Sequence, residues 1–458
     1  MSNPSDTQMA DELLRRLAAA VRSGQLYSRG HPIISRNLEA LSVVVHQIHS
    51  AAPSVVLGIV GDEIIVDDQP MSKGENLGGL VRRLKAIAVE RITFDRGVTP
   101  DELATFVDSV TTLEARTGTE PPPFPTLPHI RVGRVTVGDH PESGSTDMAA
   151  FKKLYSDAVN VAGTVWDSAA TESQPDATAA RKMIDGLAQA VSQNRSALLA
   201  LTMLKDYDDY TFTHMVNVSI LTMGQARAVG IEGTLLREFG LGALMHDIGK
   251  VRTPLEILNK PDKLNDAEFE IMRRHVVDGA EILRATPDIP TLAPVMAFEH
   301  HMRIDGSGYP FGVKRHKLNL GTMLCSISDV YDAMRSQRKY QQAFPTDRIL
   351  EVLKKNDGMQ FDQHLVRRFS QLVGIYPIGN LVKLDTGEIA VVTKVHAPDP
   401  HRPKVKVVLD REGATIGFPY EINLWQRPVD GTAKDGRPSS VLKPVDPKAY
   451  GLDPLFFL

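Results

Sequence analysis

Apolar residues recur along this chain with two different periods, and the switches between them divide it. Leu13, Leu14, Leu17 and Val21, then Leu38, Leu41, Val45 and Ile48, fall at helical spacing, so residues 9–48 read as helix. From Val55 to Met71 the period shortens to two. Val56, Gly58 and Val60, then Ile64 and Val66, flank a Gly61-Asp62 turn and predict a hairpin. The spacing then predicts a helix over Leu77–Glu90, a strand over Arg91–Phe94 and a helix over Pro100–Leu113, the last capped by Thr99 with Pro100 in its first turn. Elements of both kinds within residues 1–140 predict a small α+β domain.

Three polar stretches follow as linker candidates: Thr117–Pro128, where Pro121-Pro122-Pro123 cannot hold a helix, Asp139–Asp147, and Asp167–Thr178. The last two bracket a helix over Ala149–Val165, so residues 141–178 read as a linker with a helix. From 179 to 375 the pattern is almost wholly helical, with stripes such as Phe212, Val216, Ile220, Met223 and Leu236, Phe239, Leu244. After Tyr376-Pro377 period two returns in Leu381–Leu384, Ile389–Val395 and Val405–Leu409, around an Asp385-Thr386-Gly387 turn. Residues 376–458 therefore read as a small β appendage and tail. The fold class expected is multidomain: an N-terminal α+β domain, an all-α catalytic domain and a small C-terminal β segment.

Composition narrows this picture. A chain of 458 residues exceeds what one core usually organises. With 42% hydrophobic and 24% charged residues it has ordinary globular composition. A net charge of -4, from 52 basic and 56 acidic residues, gives no reason to expect a nucleic-acid partner. The single cysteine, Cys325, lies in an apolar run, which fits a buried structural thiol and a reducing cytoplasm. The polar start, Met1 to Ala10, lacks the features of a signal peptide, and no apolar stretch approaches the roughly 18 residues that span a bilayer. A cytoplasmic location without membrane contact is the expectation.

The chemistry concentrates in the helical region. Met245-His246-Asp247-Ile248-Gly249-Lys250 is followed by Glu299-His300-His301 and then Asp305-Gly306-Ser307-Gly308-Tyr309-Pro310, with His214, His275 and Asp329 in the same region. Mixed imidazole and carboxylate ligands suit Fe, Mn, Zn or Co better than Mg or Ca. Adjacent residues on a helix point about 100° apart, so His246 and Asp247 do not readily chelate one ion. They can serve two ions in a shared site, with the aspartate bridging. Two metals about 3.5–4 Å apart would hold a bridging hydroxide and stabilise attacking and leaving oxygens at phosphorus. Lys250 stands where its ammonium could neutralise a phosphate oxygen. Each histidine alone fits a core or surface position, and the Gly-Tyr-Pro run alone fits a tight turn. The ordered set is harder to explain by packing.

That set resembles the signature of the HD-GYP family, within the HD superfamily of metal-dependent phosphohydrolases. The agreement runs from Tyr210-Thr211 and His214 through the His246–Lys250 run, Ile257–Pro261, Leu264, Glu268-Phe269, His275, Gly279, the Asp305–Pro310 run, Ser328–Met334 and Arg338-Lys339-Tyr340 to Phe361-Asp362. The resemblance implies an all-helical domain that hydrolyses cyclic di-GMP to pGpG or GMP. It implies His214, His246, Asp247, His275, His300, His301 and Asp329 as ligands of two divalent ions, iron or manganese. Asp247 and Lys250 would be catalytic; Lys250, Asp305, Gly308, Tyr309, Pro310 and Arg338 would meet the substrate. It further implies that the Gly-Tyr-Pro loop docks partners such as diguanylate cyclase domains. Tyr210 stands where three-metal members carry a glutamate, which favours two metals and pGpG. Met302 and Gln341 also depart from the pattern, in place of a glutamate and a basic residue. The N-terminal residues carry no cofactor motif and fall by default to sensing or dimerisation, hence a homodimer as an open expectation. The alternatives are a phosphodiesterase for another cyclic dinucleotide, a non-catalytic cyclic di-GMP receptor or scaffold, and a general nucleotide phosphohydrolase.

Overall fold

The structure, a computed structural model, describes residues 4–27, 31–60, 63–66, 69–71, 77–113, 124–125, 127–133, 148–202, 210–310, 318–336, 344–396, 399–426 and 438–458. Two compact units form, one of Met1–Thr136 with Val229–Leu235, the other of Val137–Ala228 with Leu236–Leu458.

In the first unit, α1 (Pro4–Leu26) and α2 (Pro32–Ala51) precede β1 (Ser54–Val60), β2 (Glu63–Val66), β3 (Gln69–Met71), α3 (Leu77–Ala86), β4 (Arg91–Asp95), α4 (Pro100–Thr112) and β5 (Ile130–Gly133). The strands make one antiparallel sheet in the order β3-β2-β1-β4-β5. Leu13, Leu14 and Leu17 of α1, Leu41 and Val45 of α2, and Leu103 and Phe106 of α4 share one buried core with Leu57 and Phe94 of the sheet. The helix expected over Leu77–Glu90 stops at Ala86, because Ala88 turns to a φ of 57° and the amide of Val89 reaches back to the carbonyl of Leu84. The Gly61-Asp62 turn, most of Thr117–Pro128 and all of Asp139–Asp147 lie outside the described residues.

The second unit begins with α5 (Met148–Glu172), α6 (Ala177–Leu201), α7 (Tyr210–Ala228) and α8 (Gly233–Leu244), the start of α8 being shared with the first unit. A 3-10 turn at Ile248–Arg252 leads to α9 (Leu255–Leu258), α10 (Asp266–Arg273), α11 (His275–Ala285), α12 (Leu292–Glu299), α13 (Leu320–Arg335), α14 (Thr346–Lys355) and α15 (Gln363–Val373). The stretch Asp167–Thr178 is not a linker: α5 runs on to Glu172, Asp176 caps α6, and the two helices pack together. Small residues on α5 explain this, since Ala158, Ala162 and Ala169 are buried and let a neighbouring helix approach closely. Cys325 is fully buried on α13, packed with Val218, Ala243 and Met296.

Beyond Pro377, β6 (Leu381–Leu384), β7 (Ile389–Lys394), β8 (Lys404–Leu409), β9 (Thr415–Asn423) and β10 (Val441–Pro444) form a second antiparallel sheet, in the order β10-β6-β7-β8-β9. Alternate residues serve opposite faces: Val382, Leu384, Ala390 and Val392 pack on one, Leu381, Ile389 and Val391 on the other. Among the described residues no helix is long and apolar enough to cross a membrane.

The start of α4 yields a stability test. Thr99 accepts from the amide of Glu102 at 3.2 Å, and the Glu102 carboxylate accepts from the amides of Thr99 and His129, each at 2.8 Å. Burial pushes Glu102 up, but these bonds outweigh it and hold the carboxyl at about 2. Its contribution is therefore present above the ordinary value of 4.5 and is lost as pH falls toward about 2. Hydrogen exchange of α4 amides in the full chain should show protection falling across that window. Thr99→Ala should cost about 1 kcal/mol at neutral pH by the same measurement.

Candidate metal centre

Three short helices bring the histidines together by the same local device. His246 lies just past the end of α8, and its Nδ1 donates to the carbonyl of Ala243 at 2.7 Å. His275 follows α10 and donates to Met272 at 2.7 Å; His300 follows α12 and donates to Ala297 at 2.9 Å. Each ring thus satisfies a carbonyl in the last turn of a helix, where carbonyls lack intrahelical partners. A carbonyl only accepts, so each Nδ1 carries a proton and the Nε2 edge of the ring faces inward. Three helix C-termini also supply negative partial charge, which favours a cation.

Those Nε2 atoms converge. The Nε2 atoms of His275 and His300 are 3.3 Å apart, and Oδ1 of Asp247 lies 3.3 Å from the first and 3.6 Å from the second. Oδ2 of Asp247 lies 3.4 Å from Nε2 of His246 and forms an ion pair with Lys250. On the other side, Oδ1 of Asp329 lies 3.2 Å from Nε2 of His214 and 3.9 Å from that of His246. The ligand atoms fall into two groups, Asp247, His275, His300 and His301, and His214, His246 and Asp329; within each they lie within 4.8 Å of one another.

These residues fit a metal. His246 Nε2 and Asp247 Oδ1 are buried without a hydrogen-bond partner, an arrangement that costs free energy unless a cation meets them. Burial pushes His275 down to about 3, so its ring is neutral and able to ligate. Burial also lowers His301, with the neighbouring His300 adding to the effect. Burial would lower His214 too, but Asp329 and Asp332 outweigh it and push the ring up to about 9. Despite burial, Lys250 and His246 hold Asp247 well below the usual carboxylate range.

Two glycines permit this approach. A Cβ on Gly249 would stand 2.0 Å from the carbonyl oxygen of His275 and 2.4 Å from the amide of Gly279. The backbone contact seats the turn that carries Asp247 against α11, which carries His275. Gly308, with a φ of 96°, would place a Cβ 2.4 Å from the carbonyl of His301. The loop folds back so that the amide of Tyr309 bonds that same carbonyl, and the Tyr309 ring lies 4.6 Å from the His301 ring. Burial raises the Tyr309 hydroxyl, which stays protonated. The Tyr309–Pro310 peptide is cis.

Of the residues expected from sequence, the seven ligands and Lys250 come together. Asp305 does not join them: its carboxylate is exposed and accepts from the amide and hydroxyl of Ser307, at 2.9 and 2.6 Å. Arg338 and Gln341 lie outside the described residues. Asp332, Asn217 and Arg335 belong to the site without being expected from sequence. The available signal is spacing: Asp332 follows Asp329 by three positions and Asn217 follows His214 by three, which puts each pair on one helix face.

The helical segment and this cluster define a class: residues 194–365 match the family described as HD domain, and residues 381–428 match a KOW domain associated with HD domain. The helical segment is an HD domain of the HD-GYP family. Cyclic di-GMP phosphodiesterase PA4108 of Pseudomonas aeruginosa is 39% identical over 232 residues, 51% of this chain and 56% of that protein. A cyclic di-GMP phosphodiesterase of Thermotoga maritima is 34% identical over 38% of this chain and 47% of its own. The 3'3'-cGAMP-specific phosphodiesterase 3 of Vibrio cholerae is 32% identical over 37% of this chain and 36% of its own. The matches thus span about half or less of these relatives' lengths.

Gly249→Ala should force the turn off α11. The expected cost is about 1–3 kcal/mol in thermal unfolding, with metal content reduced in the protein that still folds.

Proposed function

We propose that the chain is a metal-dependent phosphodiesterase that opens cyclic di-GMP to pGpG, using two divalent ions, iron or manganese. The observation that carries this is Asp247, whose two oxygens face different ligand groups. One carboxylate between two sets of imidazoles suits a dinuclear centre, and mixed nitrogen and oxygen donors suit Fe or Mn. His214, His246 and Asp329 would hold one ion, His275, His300 and His301 the other, and Asp247 would touch both. When bound, the metals supply Lewis-acid stabilisation of the phosphate and an acidified water.

The remaining residues bind and orient. Water adds at phosphorus, the bond to the ribose 3' oxygen breaks, and the product is linear, with one phosphate terminal. Lys250 neutralises a non-bridging phosphate oxygen, and Arg338 contributes a second cationic contact. Gly308 and Pro310 set the loop from which the Tyr309 ring stacks on a base or its hydroxyl donates to phosphate. Asp305, bonded to Ser307, contributes by shaping that loop. The same loop would receive a diguanylate cyclase domain as partner. The first unit serves as a regulatory α+β domain, in a cytoplasmic protein able to form a homodimer.

A second reading has a specific basis: a relative named for 3'3'-cGAMP shares the matched segment, so the mixed dinucleotide is a rival substrate. Anaerobic turnover of cyclic di-GMP and 3'3'-cGAMP by the full chain loaded with Fe(II) or Mn(II) separates the two. Accumulating pGpG is the expected result. Faster cleavage of the mixed substrate would favour the rival, and nucleotide binding without product would indicate a receptor. Asp247→Ala should lower turnover at least about 1000-fold, roughly 4 kcal/mol of activation free energy. Stripping metal with a chelator should lower the unfolding free energy by about 3–4 kcal/mol if the ions were near saturation.

A further inference from the structure

His214 differs from the other ligands in what holds it. His246, His275 and His300 each lean on a backbone carbonyl three residues earlier, whereas Nδ1 of His214 donates to Oδ2 of Asp332 at 2.8 Å. Asp332 is itself held by side chains: Nδ2 of Asn217 donates to its Oδ1 at 3.0 Å, and Nη2 of Arg335 at 2.6 Å. The Tyr155 hydroxyl then donates to Oδ1 of Asn217 at 2.7 Å. Tyr155 and Asp332 have no exposed surface, Asn217 is 2% exposed and Arg335 6%.

The direction of every bond is fixed. A carboxylate only accepts, so Asn217 turns its amide nitrogen to Asp332 and its oxygen to Tyr155, which must donate. The chain of bonds ends on α5, which precedes the matched residues 194–365 and follows the first unit in sequence.

We propose that Asp332, Asn217 and Tyr155 are positioning residues for His214, and that through them α5 sets the affinity of the metal position formed by His214, His246 and Asp329. This rests on the two-ion centre proposed above. Asp332 fixes the His214 tautomer with Nε2 toward Asp329, the role that outer carboxylates play for metal-bound imidazoles. A slide of α5 along α7 by about 1 Å would stretch the Tyr155–Asn217 bond past hydrogen-bond range and loosen the whole chain of bonds. The other position lacks this chain of bonds, because His275 and His300 are anchored by their own backbone. The two positions therefore differ: two histidines of one are fixed locally, while His214 of the other is tied to α5.

The test is Mn(II) binding by the full chain, followed by calorimetry, metal analysis and the electron paramagnetic resonance signal of paired against isolated Mn(II). Wild type should take two ions and show the paired signal. Asp332→Asn, which keeps shape and removes charge, should weaken one ion about 10–100-fold and leave the other unchanged, giving an isolated-ion signal. Tyr155→Phe, which removes a single hydroxyl and keeps the ring, should weaken the same ion severalfold. Both ions bound at wild-type affinity in folded Tyr155→Phe and Asp332→Asn would overturn the proposal, as would equal weakening of both ions. A wild-type chain that takes only one ion would instead overturn the two-ion centre, and this assignment with it.

Discussion

The structure depends on crowding buried donor atoms where a cation would satisfy them. The Nε2 atoms of His275 and His300 stand 3.3 Å apart beside a carboxylate oxygen of Asp247, in a buried setting. In low dielectric such an arrangement is unfavourable without positive charge, and Lys250 reaches only one side of Asp247. The fold nevertheless enforces it. Each ring is tied by Nδ1 to the last turn of its helix, and the missing side chains of Gly249 and Gly279 let two of the three elements meet backbone to backbone. Short helices suit this purpose: their ends supply His246, His275 and His300, while His214 and Asp329 stand on the faces of α7 and α13.

The same principle shows which parts of the molecule are legible in sequence. A ligand anchored by its own neighbouring backbone keeps its role within a few residues, so the runs at His246 and His300 carry their meaning locally. Period-two alternation marks β6, β7 and β8 for the same reason, since each buries residues on a sheet face. Strand β9 leaves no such mark because most of its residues are exposed and Gly417 and Pro419 interrupt it; β10 is short and mostly exposed. Continuation of α5 through Asp167–Glu172 is hidden because polarity alone suggests a break there, while the buried alanines of the helix carry weak hydrophobic signal.

Long-range side-chain pairing is the least legible. Asp332 is separated from His214 by 118 positions and Tyr155 from Asn217 by 62. The only local mark of Asp332 is its spacing of three from Asp329, which a solvated helix residue could share. Its burial becomes acceptable only once Asn217 and His214 are brought to it by packing of α7 against α13, beside Arg335 on its own helix. Asp305 is the converse: an acidic residue beside the histidine pair reads as a contact to substrate, and what the structure adds is local, since Ser307, two positions on, donates to its Oδ1.

The Gly-Tyr-Pro loop joins these two kinds of constraint. Gly308 is required locally, by a positive φ and by the His301 carbonyl that a side chain would strike. Tyr309 is required by its surroundings, since its ring rests near those of His301, His275 and Phe269, with the Arg273 guanidinium 5.7 Å from its centre. The loop is thereby attached to the candidate ligand His301 on one side and to α10 on the other. The candidate ligands and the wall beside them are thus joined by direct contacts, and the closest of these needs a glycine.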